Sequence, residues 1–184
     1  INNSYLLATA AWFITLSFII DNYWSDKSSD KAVKKRIESY VLEQENDFDK
    51  LAADTSLINN IVQKNYDEKL LKQLSAKRYF LYIYSEHESI FFKLEFWTSQ
   101  VVEPDGVLLT LTGKSGFIQL ANGYYVWRKQ QVENHIALAL IPVKWNYSIT
   151  NEYLRNSFAT GYELENYFTI SDDERINPIL SKDG

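Results

Sequence analysis

Residues suited to covalent or metal chemistry are sparse in this chain, whereas residues suited to an apolar binding site are plentiful. His87 and His135 stand far apart, with no carboxylates at ligand spacing. There is no cysteine to act as thiolate ligand, disulfide partner or nucleophile. No phosphate-cradling glycine loop, nucleophile elbow or metal-ligand helix motif occurs. The acidic stretches Glu43 to Asp49 and Asp172-Asp173-Glu174 read as solvated faces rather than general acids. The expectation is therefore binding without catalysis, with no catalytic residue, no metal ligand and no cofactor in these residues.

The binding chemistry has a definite place. Aromatic side chains make up 15% of the chain, and such large rings either fill a core or line a pocket. In the run Gly123 to Gln131, Tyr125 and Trp127 share one face of a strand. In the following run, His135 to Lys144, Ala137 and Ala139 share one face, and Ile136, Leu138 and Leu140 the other. If the leucine face packs on a helix, the alanine face lines a space that Trp97, Tyr125 and Trp127 close around a small ligand, with Arg128 and Lys144 as charge partners. The bland alternative is that the same rings simply fill the core.

These residues sit in the second half of the chain, behind a series of helices. Ile1 to Ile20 carries no charge and is apolar from Tyr5 onward. At about 1.5 Å rise per residue it reaches roughly 30 Å, the thickness of a bilayer core. Tyr23 and Trp24 follow, suited to the headgroup level. A cleaved signal peptide and a buried core helix are the competing readings, and Asp21 to Trp24 makes a poor cleavage site. The sequence reads as starting inside a longer native chain, because Ile1 is no initiator. Flanking charge therefore gives no orientation.

After a cap-rich stretch from Ser25 to Asp30, apolar residues at Val33, Ile37, Tyr40, Val41, Phe48 and Leu51 recur at helical spacing, broken only by Gln44 and Glu45. Val33, Ile37, Tyr40 and Val41 are the candidates for a dimer contact. A charge at Ile37 is then expected to alter dimerisation and leave the fold intact. Asp54 opens a short helix, and Asn65 with Glu68 resembles a capping box before another. From Tyr79 the period becomes two. Tyr79 to Tyr84 and Ile90 to Trp97 read as a hairpin around a turn at Ser85 to Ser89, with Ile90, Phe92, Leu94 and Phe96 on one apolar face. Val107 to Leu111 and Gly116 to Leu120 are short apolar segments. A turn at Val132-Glu133-Asn134 joins the clearest strand pair. Thr150 can cap a helix through Phe158, and Tyr167 to Ile170 can add a strand.

The order implies an α+β fold, with long N-terminal helices (transmembrane plus stalk) before an antiparallel sheet with short helices. The divisions are 1–22 for the membrane helix, 23–53 for the stalk or signalling helix and 54–184 for the domain. About 160 residues beyond the anchor suffice for one domain. The net charge of −5 and pI near 5.1 give no footprint for nucleic acid.

Phe96-Trp97-Thr98-Ser99, Asn122-Gly123-Tyr124-Tyr125, Ile141 to Tyr147 and Asn151 to Phe158, in that order and spacing, resemble the extracytoplasmic sensor region of Bacteroidetes-type membrane sensor histidine kinases. The resemblance spans roughly Tyr79 to Phe158. It implies a PAS-like (Cache-type) fold in which a long N-terminal helix packs on one face of the sheet and a ligand pocket, or its remnant, lies on the other. It also implies a periplasmic domain anchored in the inner membrane, a second membrane helix beyond Gly184 and a cytoplasmic kinase with its response regulator. On this reading the chain is the input domain of a homodimeric two-component receptor for a small ligand or envelope cue. The alternatives are the same module on a chemoreceptor or cyclase, or a ligand-free membrane-tethered interaction domain.

Overall fold

The computed structural model describes residues 4–27, 29–87, 91–104, 106–110, 112–161, 168–171, 178, 179 and 182. Helix α1 (Ser4–Lys27) is followed by α2 (Asp30–Ala52), α3 (Thr55–Val62) and α4 (Glu68–Ser75). Strands β1 (Phe80–His87) and β2 (Phe91–Trp97) come next, then the one-turn helix α5 (Val107–Thr110) and strands β3 (Ser115–Leu120), β4 (Gly123–Val132) and β5 (His135–Trp145). The five strands form one antiparallel sheet in the order β2-β1-β5-β4-β3. The fold is α+β.

Among the described residues, none packs on the apolar length of helix α1. Its window Ser4–Asp21 is long and apolar enough to cross a membrane and is unburied throughout. The helix continues past residue 22 to Lys27, and only positions 28 and 29 separate it from α2. Ser29 caps α2, its hydroxyl accepting from the Ala32 amide at 3.3 Å. Helix α2 is not a free stalk. Its buried residues run from Val33 to Ala52, so the whole helix lies on the sheet. Tyr79 anchors it: the ring meets Phe48 edge to face at 6.0 Å, and its hydroxyl donates to Asp47 Oδ2 at 3.0 Å.

The short helices start on aspartates. Asp54 accepts from Leu57 N at 3.0 Å, and Asp67 accepts from Leu70 N at 2.8 Å. The cap of α4 is therefore Asp67 rather than Asn65, because the helix begins at Glu68 and the residue immediately before it is the one whose carboxylate reaches the amide of the third helical residue, Leu70. Asp67→Ala should cost about 0.5–2 kcal/mol in chemical denaturation and Asn65→Ala close to nothing; equal losses would contradict this capping.

A register shift between β1 and β2 decides which side chain of β2 faces where. Between Ile83 and Tyr84 the pairing jumps from Phe96 to Leu94, leaving Glu95 as the extra residue. Phe96 thus joins the core cluster that holds α2, while Phe92 and Leu94 pack in the opposite cluster. The expected single apolar face of this strand is split. Strand β1 also runs on through Ser85 to His87, where a turn was expected, and residues 88–90 lie outside the described residues. The β4–β5 hairpin closes on Glu133-Asn134, with Glu133 at φ 53°.

The stretch after β5 is not the helix that Thr150 was expected to cap. Asn151 Oδ1 instead accepts from the amides of Tyr153 and Leu154, both at 2.8 Å, which closes a turn rather than starting a helix. Phe158 then bridges back to Lys144. The expected strand from Tyr167 is absent at Phe168 to Ile170, and Tyr167 itself lies outside the described residues.

Candidate functional site

The central strands β5 and β4 carry two different chemistries on their two faces. On the face away from α2, Ile136, Leu138 and Leu140 of β5 cluster with Tyr82, Tyr84, Tyr125 and Trp127. The loop after β2 folds over them and inserts Leu108 and Leu109, which are 2% and 8% exposed. Polar groups secure that cover. Tyr82 donates its hydroxyl to Val102 O at 2.5 Å, and Lys129 Nζ donates to the carbonyls of Leu108 and Leu109 at 3.0 and 3.1 Å. These carbonyls belong to the one-turn helix α5, so the ammonium also serves as its C-terminal cap. Burial pushes the Lys129 ammonium below its ordinary range and the Tyr82, Tyr84 and Tyr125 phenols above theirs.

On the α2 face lie the alanines. Ala137 and Ala139 are fully buried in the cluster that contains Val41, Phe48 and Leu51. This reverses the expected arrangement: small residues on the central strand let α2 come close, and the large aliphatic residues face the aromatic side. Tyr125 and Trp127 are brought together as expected, but opposite Ala137 and Ala139 rather than beside them. Trp97, partnered with Tyr82 across β1 and β2, is 45% exposed. Lys144 donates to Phe168 O at 2.5 Å and lies over the Phe158 ring at 4.7 Å, holding the segment after β5, and desolvation lowers its pKa. Ala137→Leu should therefore cost about 1–3 kcal/mol in a denaturant midpoint measurement, because the added carbons meet α2; a neutral result would mean open space there.

Arg128 shows what sequence reading missed. It is partnered with Ala139 across the sheet and points at α2, where its guanidinium donates Nε to Asp49 Oδ1 at 2.5 Å and Nη2 to Asp49 Oδ2 at 2.9 Å. Its Nη1 reaches Glu45 Oε1 at 3.5 Å. Glu45 is fully buried, and its other oxygen accepts from the Lys182 amide at 2.9 Å. Lys182 Nζ donates to Asp49 Oδ2 at 2.5 Å. Burial alone would raise the Asp49 carboxyl, but the hydrogen bonds from Arg128 and Lys182 outweigh it and hold it below the usual carboxylate range. The stretch Glu43 to Asp49 is therefore not a merely solvated face; Asp172 to Glu174 lie outside the described residues. A signal was present in the sequence. Glu45 stands four residues after Val41 and three before Phe48, in phase with the apolar stripe, and a charge in that phase calls for a buried counter-charge.

Val33, Ile37, Tyr40 and Val41 are 3%, 3%, 6% and 0% exposed within a single chain, in one cluster with Val143 and Phe158. They face the protein's own core rather than a partner helix, so a charge at Ile37 would break the fold. Tyr40 donates to Arg78 O at 3.2 Å, and burial pushes its phenol up to about 12.

A cleft of about 1000 Å³ opens where β4 runs past the start of β3, lined by Asp49, Arg128, Lys129, Gln130, Thr110 and Lys114 among others. It is polar, and it joins the ion cluster on one side of the sheet to the α5 cover on the other. Comparison with models of protein families, with curated proteins and with solved structures finds no match.

Proposed function

We propose that the chain is the extracytoplasmic sensory input domain of a membrane-bound two-component histidine kinase, PAS-like (Cache-type) in fold and periplasmic. The observation that carries this reading is mechanical. An unburied apolar helix of membrane-spanning length joins, across positions 28 and 29 alone, a helix whose inner face lies along the sheet. A change in the sheet can reach the bilayer through that helix, and the Arg128, Glu45 and Asp49 cluster is the polar lock between the two. A long helix on one face and an aromatic cluster on the other support the PAS-like reading, with the aromatic face as the remnant of a pocket.

In this account the receptor is a homodimer. Its contacts fall to α1 and the outer surface of α2, since the inner stripe is internal. A cue shifts the balance between two arrangements of α2 on the sheet by binding one of them more tightly. The cleft beside Arg128 and Lys129 is the place for a polar small ligand. The filled aromatic face favours a second reading, a ligand-free tethered interaction domain. The native reading frame separates the two. A second apolar span and a kinase after residue 184, with histidine autophosphorylation in isolated membranes, are expected. A chemoreceptor or cyclase output, or no output domain, would overturn the kinase reading.

A further inference from the structure

We propose that the loop 146–156, together with the first turns of α2, forms a docking face for the membrane surface. The inference rests on the reading that α1 spans a bilayer, and it adds a second, independent point of contact with that bilayer. Ile149, Tyr153 and Leu154 are 77%, 85% and 40% exposed, an apolar group that none of the described residues covers. The loop that presents them is tied at several points. Trp145 N donates to Ser157 O at 2.8 Å and Asn146 N to Asn122 O at 2.9 Å. Tyr147 N donates to Asn156 Oδ1 at 2.7 Å, and Asn151 closes the tip. Ordering three apolar side chains toward solvent has a cost that a covering surface would offset.

The place of the loop in the fold identifies that surface. Strand β5 runs antiparallel to α2. Arg128, opposite Ala139, meets the second half of α2 at Glu45 and Asp49, while the chain just beyond β5 lies by its first half, where Thr160 lines a cleft with Lys35, Arg36 and Tyr40. The strand therefore delivers the loop to the end of the domain from which α1 departs. At that end Lys27, Lys31, Lys35, Arg36, Arg78 and Arg155 stand against Asp21, Asp26, Asp30, Glu43 and Glu152, and Lys34 is paired with Glu38 at 3.6 Å. Arg36 and Arg78 line that same cleft of about 440 Å³. In a chain of net charge −5 this end is close to charge balance, with basic side chains within reach of the exposed aliphatic and aromatic groups, so anionic headgroups are not repelled and the apolar groups can settle among them. Tyr153 suits the headgroup level by its amphipathic ring.

The absence of cysteine makes the test clean. Single variants Ile149→Cys, Tyr153→Cys, Leu16→Cys in α1 and Asn60→Cys at the far end of the domain are labelled with an environment-sensitive fluorophore. The full chain is then reconstituted in vesicles of phosphatidylethanolamine and phosphatidylglycerol carrying nitroxide lipids. Labels at 149 and 153 should blue-shift and be quenched by shallow nitroxides, at a depth of about 5–10 Å. The label at 16 should be quenched by deep ones and the label at 60 by neither. Quenching at 16 without quenching at 149 and 153 overturns the docking face and leaves the anchor standing. Absence of quenching at 16 overturns the anchor and the docking face with it. A blue shift at 149 that ignores nitroxide lipids and disappears on diluting protein in the bilayer would assign the surface to a second copy and overturn the proposal.

Discussion

Arg128→Met should destabilise the protein by about 3–5 kcal/mol, the range for breaking a buried ion pair by removing one partner. The loss comes less from the Arg128 bonds than from Glu45, which is fully buried and would lose the guanidinium that compensates it. A double variant, Arg128→Met with Glu45→Leu, should recover much of the stability, since it removes both charges. Urea denaturation of the two variants measures this, and equal losses would contradict the assignment. The cluster also sets an acid sensitivity. Asp49 has a lowered pKa in the folded state, so its contribution is fully present above the ordinary carboxylate pKa and is lost as pH falls through the folded value. Stability of the wild type should drop on acidification below that range, and Asp49→Asn should flatten that part of the profile.

Phe48→Ala is expected to cost about 3–5 kcal/mol, through lost transfer free energy and a cavity that surrounding residues cannot close. Phe48 has no exposed surface, it packs edge to face on Tyr79, and it lies in the cluster of Ala137 and Ala139. The alanines carry only a methyl group and cannot fill the gap. If α2 were a stalk resting lightly on the domain, the same change would cost under about 1 kcal/mol.

The helices were legible because their signals are local: an apolar stripe at helical spacing, an aspartate ahead of the first short helix, and a charge-free run at the N-terminus. The hairpin of β4 and β5 was legible for the same reason. The choice of face was not. Alternation says that Ala137 and Ala139 lie together, but it does not say which of two apolar layers covers them. Packing answered that, because a helix carrying Phe48 and Glu45 needs small residues beneath it. Bulges hid the rest. One extra residue at Glu95 sends Phe96 to the helix side and Leu94 to the other, and strict period two cannot anticipate such a switch. Near Asn151, a side chain that competes for backbone amides replaced the expected helix with a turn. The partnership of Arg128 with Glu45 and Asp49 joins residues about eighty positions apart. Only the phase of Glu45 within the stripe pointed toward it.

The central claim is that α2 carries a signal between sheet and membrane through its polar lock. The most direct measurement is histidine autophosphorylation of the full native protein in its own membrane, compared between wild type and Asp49→Asn. This substitution weakens the lock at its edge while leaving Glu45 paired with Arg128, and a denaturation midpoint on the same sample establishes that the variant is folded. The account predicts a changed basal output in the folded variant, with Asn60→Ala at the far end of the domain behaving as wild type. An output identical to wild type in the folded Asp49→Asn protein would contradict it.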